Sequence, residues 1–247
     1  MIKAHIIGSG SKGNATIIYS DKTTILVDFG VTIARLKEGL SEISKTIDDI
    51  DFAFFTHDHN DHIRNYEAID ASKRYALEKT IPLLKSNILS NYKKYTFNDF
   101  EVMPIKASHD ALNPCGYVFV NGDEKIVYLT DTGKIYEKTL KAIFNATYYI
   151  IESNYDQTLL ENSGRPYPLI RRIFGQKGHL SNEESAYYMS YVIGDKTKKI
   201  ALAHISEECN KSEIALKTHQ EIYNKMGVSM KDIELVCAKQ WESIDLW

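Results

Sequence analysis

The run Phe52-Ala53-Phe54-Phe55-Thr56 reads as a buried strand, and it leads without a turn into His57-Asp58-His59-Asn60-Asp61-His62. Three imidazoles and two carboxylates within six positions are costly at a strand end, through desolvation and mutual repulsion, unless a cation offsets them. A spacing of two places His57 and His59 on one side of an extended chain. Asp61 and His62, at the start of a helix, then face a second position. Neutral imidazole and carboxylate are the donor set that Zn²⁺ prefers, with Mn²⁺ and Fe²⁺ as chemical rivals. The chain must therefore fold so that one strand end is polar, crowded and able to take up an ion.

These residues alone do not complete two metal positions, so further donors are expected where later strands run out. His109 closes VMPIKASHD, Asp131 follows the apolar part of KIVYLTDTG, and His204 lies late in KIALAHIS. Singly, each of these histidines is compatible with an ordinary surface or core position. Together with the cluster they form a series of donors at successive strand ends.

The opening GSGSKGNAT contains G-x-G-x-x-G after an apolar run, with Asp28 downstream in the place of a ribose-binding acid. A dinucleotide loop must feed a helix. Here Asn14 to Ser20 reads NATIIYS, rich in β-branched residues and bounded by SDKTT, which is a strand signal. The glycines therefore belong to a turn between strands, where backbone can approach closely.

The 247 residues, 43% hydrophobic and 26% charged, fit a globular protein able to bury a sizeable core. No apolar run has the length of a membrane span, and the N-terminal region carries no export signature, so a cytoplasmic location and no membrane partner are expected. Cys115, Cys209 and Cys237 are odd in number and far apart, which suits reduced thiols. A net charge of -3 gives no global attraction for nucleic acid.

Periodicity predicts strands at 2–7, 15–20 and 24–28, a helix at 31–43, a strand at 52–56, and helices at 63–72 and 81–91. It continues with strands at 117–120 and 125–131, a helix at 137–145, and a strand at 147–153. A helix at 182–193, a strand at 199–206, a helix at 212–226 and a strand at 232–238 complete the reading. This is a mixed α/β chain, one domain over 1–247 made of two β-rich halves.

The order H-x-H-x-D-H, then His, Asp and His at strand ends, resembles the metallo-β-lactamase superfamily over essentially the whole chain. The resemblance implies an α/β fold, an αββα four-layer sandwich with the site along one edge. It implies two divalent metal ions, one held by His57, His59 and His109, the other by Asp61, His62 and His204, with Asp131 bridging. Asp28 in LVDFG matches an early strand-end Asp that supports the metal loops. Glu152 in YYIIESNYD and His179 in GHLSNEES look like the phosphodiesterase branch that includes the tRNA 3′-processing nucleases. The YycJ/WalJ-type group, related to DNA 5′-exonucleases, is the nearest match, through GSGSKGNAT, ESNYDQTLLENSGRPYPLIRRIFGQKGHLSNEES and AHISEECN. Two departures are Cys209-Asn210, where the group often has paired Asn, and Asn65, where a Gly commonly follows the metal helix start.

The implied chemistry is attack of a metal-bridging hydroxide on phosphorus, with Asp61, His179 and Glu152 as the catalytic side chains. His179, oriented by Glu152, would protonate the leaving oxygen; Ser181 and Glu184 make a capping box that offers His179 a merely structural place. Arg165, Arg171, Arg172 and Lys177, near Tyr155 and Tyr167, form either a phosphate-backbone patch or the exposed face of an amphipathic helix. Lys93 and Lys94 beside Tyr92 and Tyr95 are a weaker candidate of the same kind. Asn210 joins Ser9, Ser11, Asn14, Arg165 and Arg171 as an expected substrate contact. The partner expected is DNA or a nucleotide phosphodiester, with the protein as a homodimer. Two rival functions are a cyclic-nucleotide phosphodiesterase and a non-hydrolytic metal-binding redox or interaction protein.

Overall fold

The computed structural model describes residues 1–80 and 86–247. In chain order, β1 (Lys3–Gly8), β2 (Ala15–Tyr19) and β3 (Thr24–Val27) lead through α1 (Ile33–Glu42) to β4 (Phe52–Phe54) and the short α2 (Asn60–Ile63). Next come β5 (Arg74–Leu77), β6 (Asn87–Leu89), β7 (Tyr95–Phe97), β8 (Phe100–Lys106), β9 (Cys115–Asn121) and β10 (Glu124–Leu129). The chain continues with α3 (Glu137–Ile143), β11 (Tyr148–Glu152), α4 (Gln157–Glu161), α5 (Tyr167–Phe174) and α6 (Asn182–Ser190). It closes with β12 (Lys199–Ala203), α7 (Ser212–Met226), β13 (Glu234–Cys237) and β14 (Ile244–Leu246).

Among the described residues the strands form two sheets, ordered β14-β1-β2-β3-β4-β5-β6 and β13-β12-β11-β10-β9-β8-β7. Strand alternation explains how they stack, because successive side chains point to opposite faces. In β10, Ile126 and Tyr128 join Val27, Phe54, Phe119 and Ile150 in the core between the sheets, while Val127 and Leu129 face α3, α6 and α7. In β3, Ile25 and Val27 point inward, and Leu26 packs outward with Leu36 and Leu40 of α1. Both faces of each central sheet are thus covered by apolar contacts, giving the expected αββα layering.

The sheet directions determine where the donors meet. β3 runs parallel to β4, and β10, β11 and β12 run parallel to one another, with Leu129 opposite Ile151 and Ile151 opposite Leu202. The carboxyl ends of these strands therefore lie along one edge, the usual place for a ligand site in an α/β fold.

Two expected helices differ. The helix expected over 63–72 is replaced by α2 and single turns of 3₁₀ helix at Tyr66–Ala68 and Ala71–Lys73. The reason is a tertiary capture of the helical ladder. Asp61 O accepts from Asn14 N at 2.8 Å, and Asn65 N donates to Phe29 O at 3.0 Å, so the 61-to-65 bond that would continue the helix is not made. Of the helix expected over 81–91, residues 81–85 lie outside the described residues and Asn87–Leu89 is β6, paired in parallel with β5. The strand expected to reach 206 stops at Ala203, because His204 takes a positive φ of 54°.

Candidate metal centre

Three strand ends of the site adopt a conformation that β-branched and most other residues avoid. Asp28 after β3, Asp131 after β10 and His204 after β12 have φ of 60°, 54° and 54°. Left-handed backbone at non-glycine residues costs free energy and persists where surrounding contacts enforce it. Here it turns each side chain from the strand direction toward the shared edge. Gly30 allows the loop after β3 to touch α2, since a Cβ there would lie 1.5 Å from Asp61 O.

The structure brings all seven expected metal donors together with Glu152 and His179. Their donor atoms fall into four mutually close groups: His57, His59 and His109; His57, His62 and Asp131; Asp61, His62 and His204; and Asp131, Glu152, His179 and His204. Asp131 belongs to two of these, its Oδ2 lying 3.1 Å from His62 Nε2 and its Oδ1 3.6 Å from His109 Nε2. The opposite ring nitrogens are tied back to the protein. His62 Nδ1 donates to Asp28 Oδ2 at 2.7 Å, His109 Nδ1 to Gly178 O at 3.0 Å, and His204 Nδ1 to Glu152 Oε1 at 2.9 Å. Such bonds select the tautomer whose Nε2 carries the lone pair a metal needs; at His62 that nitrogen also lies 3.0 Å from Asn14 Nδ2.

A fit to cations follows from what is left unpaired. Buried His57 Nε2, Asp131 Oδ2 and His204 Nε2 have no hydrogen-bond partner among the described residues, an expensive condition for polar atoms out of water. All three point into the same donor-lined space. The electrostatics agree. Burial opposes charge on His62, yet Asp28 and Asp131 hold its pKa well above the usual histidine value. Burial likewise opposes charge on His204, and Asp131, Asp61 and Glu152 outweigh it to raise the pKa to about 10. His57, desolvated and next to His62, is pushed well below the ordinary range. The carboxylates thus generate a strongly negative field that favours positive charge.

Glu152 is the hub of one side of the site. It is fully buried, and its Oε1 accepts from His179 Nδ1 at 2.9 Å and Asp131 N at 3.1 Å as well as from His204. Its Oε2 accepts from Thr132 N at 2.9 Å and Leu180 N at 3.1 Å. The capping box at Ser181 is also present, so His179 sits just before a well-capped helix and still reaches the donor cluster.

The expected substrate residues divide. Ser9 and Asn14 are at the edge but buried and committed to it: Ser9 Oγ accepts from His204 N at 2.8 Å, and Asn14 Nδ2 donates to Asp61 O at 3.3 Å. Ser11 is exposed at the tip of the same loop. Asn210, expected against substrate, is instead buried and tied to Ser153 O at 3.0 Å and the Asn182 side chain at 2.8 Å. Arg165 pairs with Glu208 at 2.8 Å, and Arg171 stacks 5.9 Å from the exposed Tyr167 ring. Tyr155 is buried beneath α5, Lys93 lies over the Tyr95 ring, and Lys94 pairs with Glu101. Arg172 reaches the rim, paired with Asp110, whose other oxygen is 3.4 Å from His109 Nε2. Sequence reasoning passed over Asp110; its only signal was an acid directly after a candidate ligand.

The edge cluster on a four-layer sandwich defines the class. A model of the beta-lactamase superfamily domain matches residues 23–205, and this chain belongs to that superfamily. Within it, the chain is 34% identical over 240 residues to "Exodeoxyribonuclease WalJ" of Streptococcus pneumoniae, covering 91% of this chain and 88% of the relative. It is 32% identical over 235 residues to "Exodeoxyribonuclease YycJ" of Bacillus anthracis, covering 90% and 89%. The resemblance to the YycJ/WalJ-type group is borne out. Among solved structures, the metallo-beta-lactamase fold protein YhfI of Bacillus subtilis superposes with a TM-score of 0.76 at 15% identity over 99% of both chains. Human tRNase Z, short form, does so with 0.66 at 14% identity over 98% of both chains; these two likenesses speak for the fold alone.

Proposed function

We propose that this protein is a metal-dependent phosphodiesterase that degrades DNA from a 5′ end, its catalytic unit spanning 1–247. The observation that carries the reading is His179, partly exposed and held through Nδ1 by Glu152, beside a cluster of seven further metal-type donors. The names of the relatives direct the choice of DNA as substrate. His57, His59 and His109 would hold one divalent cation and Asp61, His62 and His204 the other, with Asp131 shared. Zn²⁺ fits this nitrogen-rich set best; Mn²⁺ and Fe²⁺ fit it less specifically. When bound, the cations supply Lewis acidity that polarises a phosphodiester and activates water.

The protein's own groups do the rest. Glu152 keeps the proton on His179 Nδ1 directed inward, so that Nε2 is the atom that gives a proton to the leaving oxygen, a contribution of roughly 10²–10⁴-fold. Asp28 and Thr56 brace His62, with Asp28 Oδ1 accepting from Thr56 N at 2.9 Å. Asp61, joined to the first hairpin through Asn14, keeps its carboxylate at the partly open mouth. The three free thiols suit a reducing compartment, so the cytoplasm is the proposed location, and a homodimer is the proposed assembly. Purified protein with Zn²⁺ or Mn²⁺, offered 5′-phosphorylated single- and double-stranded DNA, RNA and cyclic mononucleotides, tests the reading. DNA turnover supports it; turnover of cyclic nucleotides alone, or of none, overturns it.

A further inference from the structure

Beside His204 lies a cavity of about 250 Å³ that the metal chemistry does not use. Ile205 and Ala238 are apolar members of its lining, which also includes Ser206, Lys211, Lys239 and Trp241. Ser9 ties the cavity wall to the metal edge, its Oγ accepting from His204 N at 2.8 Å and its N donating to Lys239 O at 3.0 Å. Gln240 fastens the same two segments, accepting from Lys12 N at 2.9 Å and donating to Gly13 O at 2.8 Å. The cavity wall is therefore held in place by the loop that also positions the site.

Trp241 is 59% exposed, whereas Phe54, Tyr117 and Tyr149 are fully buried. An indole kept in water beside a cavity offers an open face for another ring. Lys12 Nζ lies 5.6 Å from that ring and 2.6 Å from Glu207, while Lys239 pairs with Glu242 at 2.6 Å. Both pairs are solvent-exposed, and such pairs are weak enough for a phosphate to take the place of the carboxylate. On the cavity wall Lys211 and Lys239 balance Glu207 and Glu242, and Lys12, beside the Trp241 ring, brings a third ammonium to the same mouth.

We propose that this cavity binds the nucleotide adjoining the scissile phosphate of a single-stranded DNA end. Its base stacks on Trp241, and its phosphate is met by Lys12, Lys211 and Lys239. The proposal rests on the nuclease reading and deepens it: a base inside a duplex is already stacked and paired, so the strand must enter unpaired. Stacking of this kind is indifferent to base identity.

Two measurements test it. The chain has two tryptophans, so Trp247→Phe leaves Trp241 as the sole indole; in EDTA, titration with short oligothymidylate is expected to quench its emission saturably, and a blunt duplex of equal length far less. With metal restored, Trp241→Ala is expected to raise KM for single-stranded DNA about tenfold with a much smaller change in kcat, Trp241→Phe to recover most of the loss, and Trp247→Phe to keep the wild-type KM. Unchanged emission, or a wild-type KM in Trp241→Ala while DNA is still cleaved, would overturn the subsite and leave the nuclease standing. Saturable quenching in a protein that cleaves no DNA would retain the stacking site and overturn the nuclease.

Discussion

His179 Nδ1 lies 2.9 Å from Glu152 Oε1, the same oxygen that accepts from His204 Nδ1 at 2.9 Å. One carboxylate thereby orients the proposed proton donor and a proposed metal ligand. The two histidines nevertheless separate by experiment. His179→Ala is expected to retain both metals by elemental analysis and to lose roughly 10²–10⁴ in kcat on DNA. Loss of metal in that variant would place His179 among the ligands instead.

Glu152 also links the site to acid stability. Burial works to raise its pKa, but His179 and His204 outweigh burial and hold it at about 2. A carboxyl depressed in the folded state stabilises at pH above its unfolded value, and that contribution is lost as pH falls from the ordinary carboxyl range through about 2. In chelator-treated protein, Glu152→Gln is therefore expected to flatten this acid limb of a urea-denaturation series. Glu152→Ala, which strips partners from two imidazoles and three backbone N–H groups, is expected to cost about 3 kcal/mol near neutrality. An unaltered acid limb in Glu152→Gln would contradict the assignment.

Asp131 faces both halves of the donor cluster, with Oδ2 3.1 Å from His62 Nε2 and Oδ1 3.6 Å from His109 Nε2. Asp131→Ala is expected to fold and to lose metal, read as a fall in bound cation per chain. Full metal content in this variant would refute the bridging role.

Gly30 is required by contact. Its replacement by Ala sets a Cβ 1.5 Å from Asp61 O, so the loop after β3 and α2 must separate. A destabilisation of about 3 kcal/mol is expected for this overpacking, with weaker metal binding because Asp61 moves. Wild-type thermal stability would show that the loop yields more easily than the geometry indicates.

The mixed α/β character and the donor cluster were legible because their signals are local, whereas the four-layer sandwich followed only from the resemblance to the superfamily. Periodicity marks most of the observed helices and many of the strands, though it gave a helix where Asn87–Leu89 forms β6, and His57, His59, Asp61 and His62 lie within one hexapeptide. The later donors were legible by position, since His109, Asp131 and His204 each follow an apolar run. What escaped was set by tertiary contacts. The helix expected over 63–72 breaks because Asn14 and Phe29 take the hydrogen bonds that would continue it. Asn210 sits close to His204 in sequence but turns inward to Ser153 and Asn182. Glu152 read as a partner of His179 alone; its bond to His204 depends on adjacent parallel strands, β11 and β12. The Gly-rich loop needed the whole fold to explain it, for Gly10 and Gly13, at φ of 149° and 150°, pack against Gln240 and Gly30.

On the proposed reading, the donor cluster makes this chain a metal-dependent nuclease acting from the 5′ end. That activity is tested most directly with 5′-labelled, single-stranded DNA, incubated with chelated protein and with the same protein reloaded with Zn²⁺ or Mn²⁺. The predicted result is an intact substrate in chelator and, on reloading, release of label in the smallest products from the first time points, before the strand shortens visibly. Undiminished cleavage in chelator, an inert reloaded protein, or label retained on a ladder shortened from the 3′ side would contradict it.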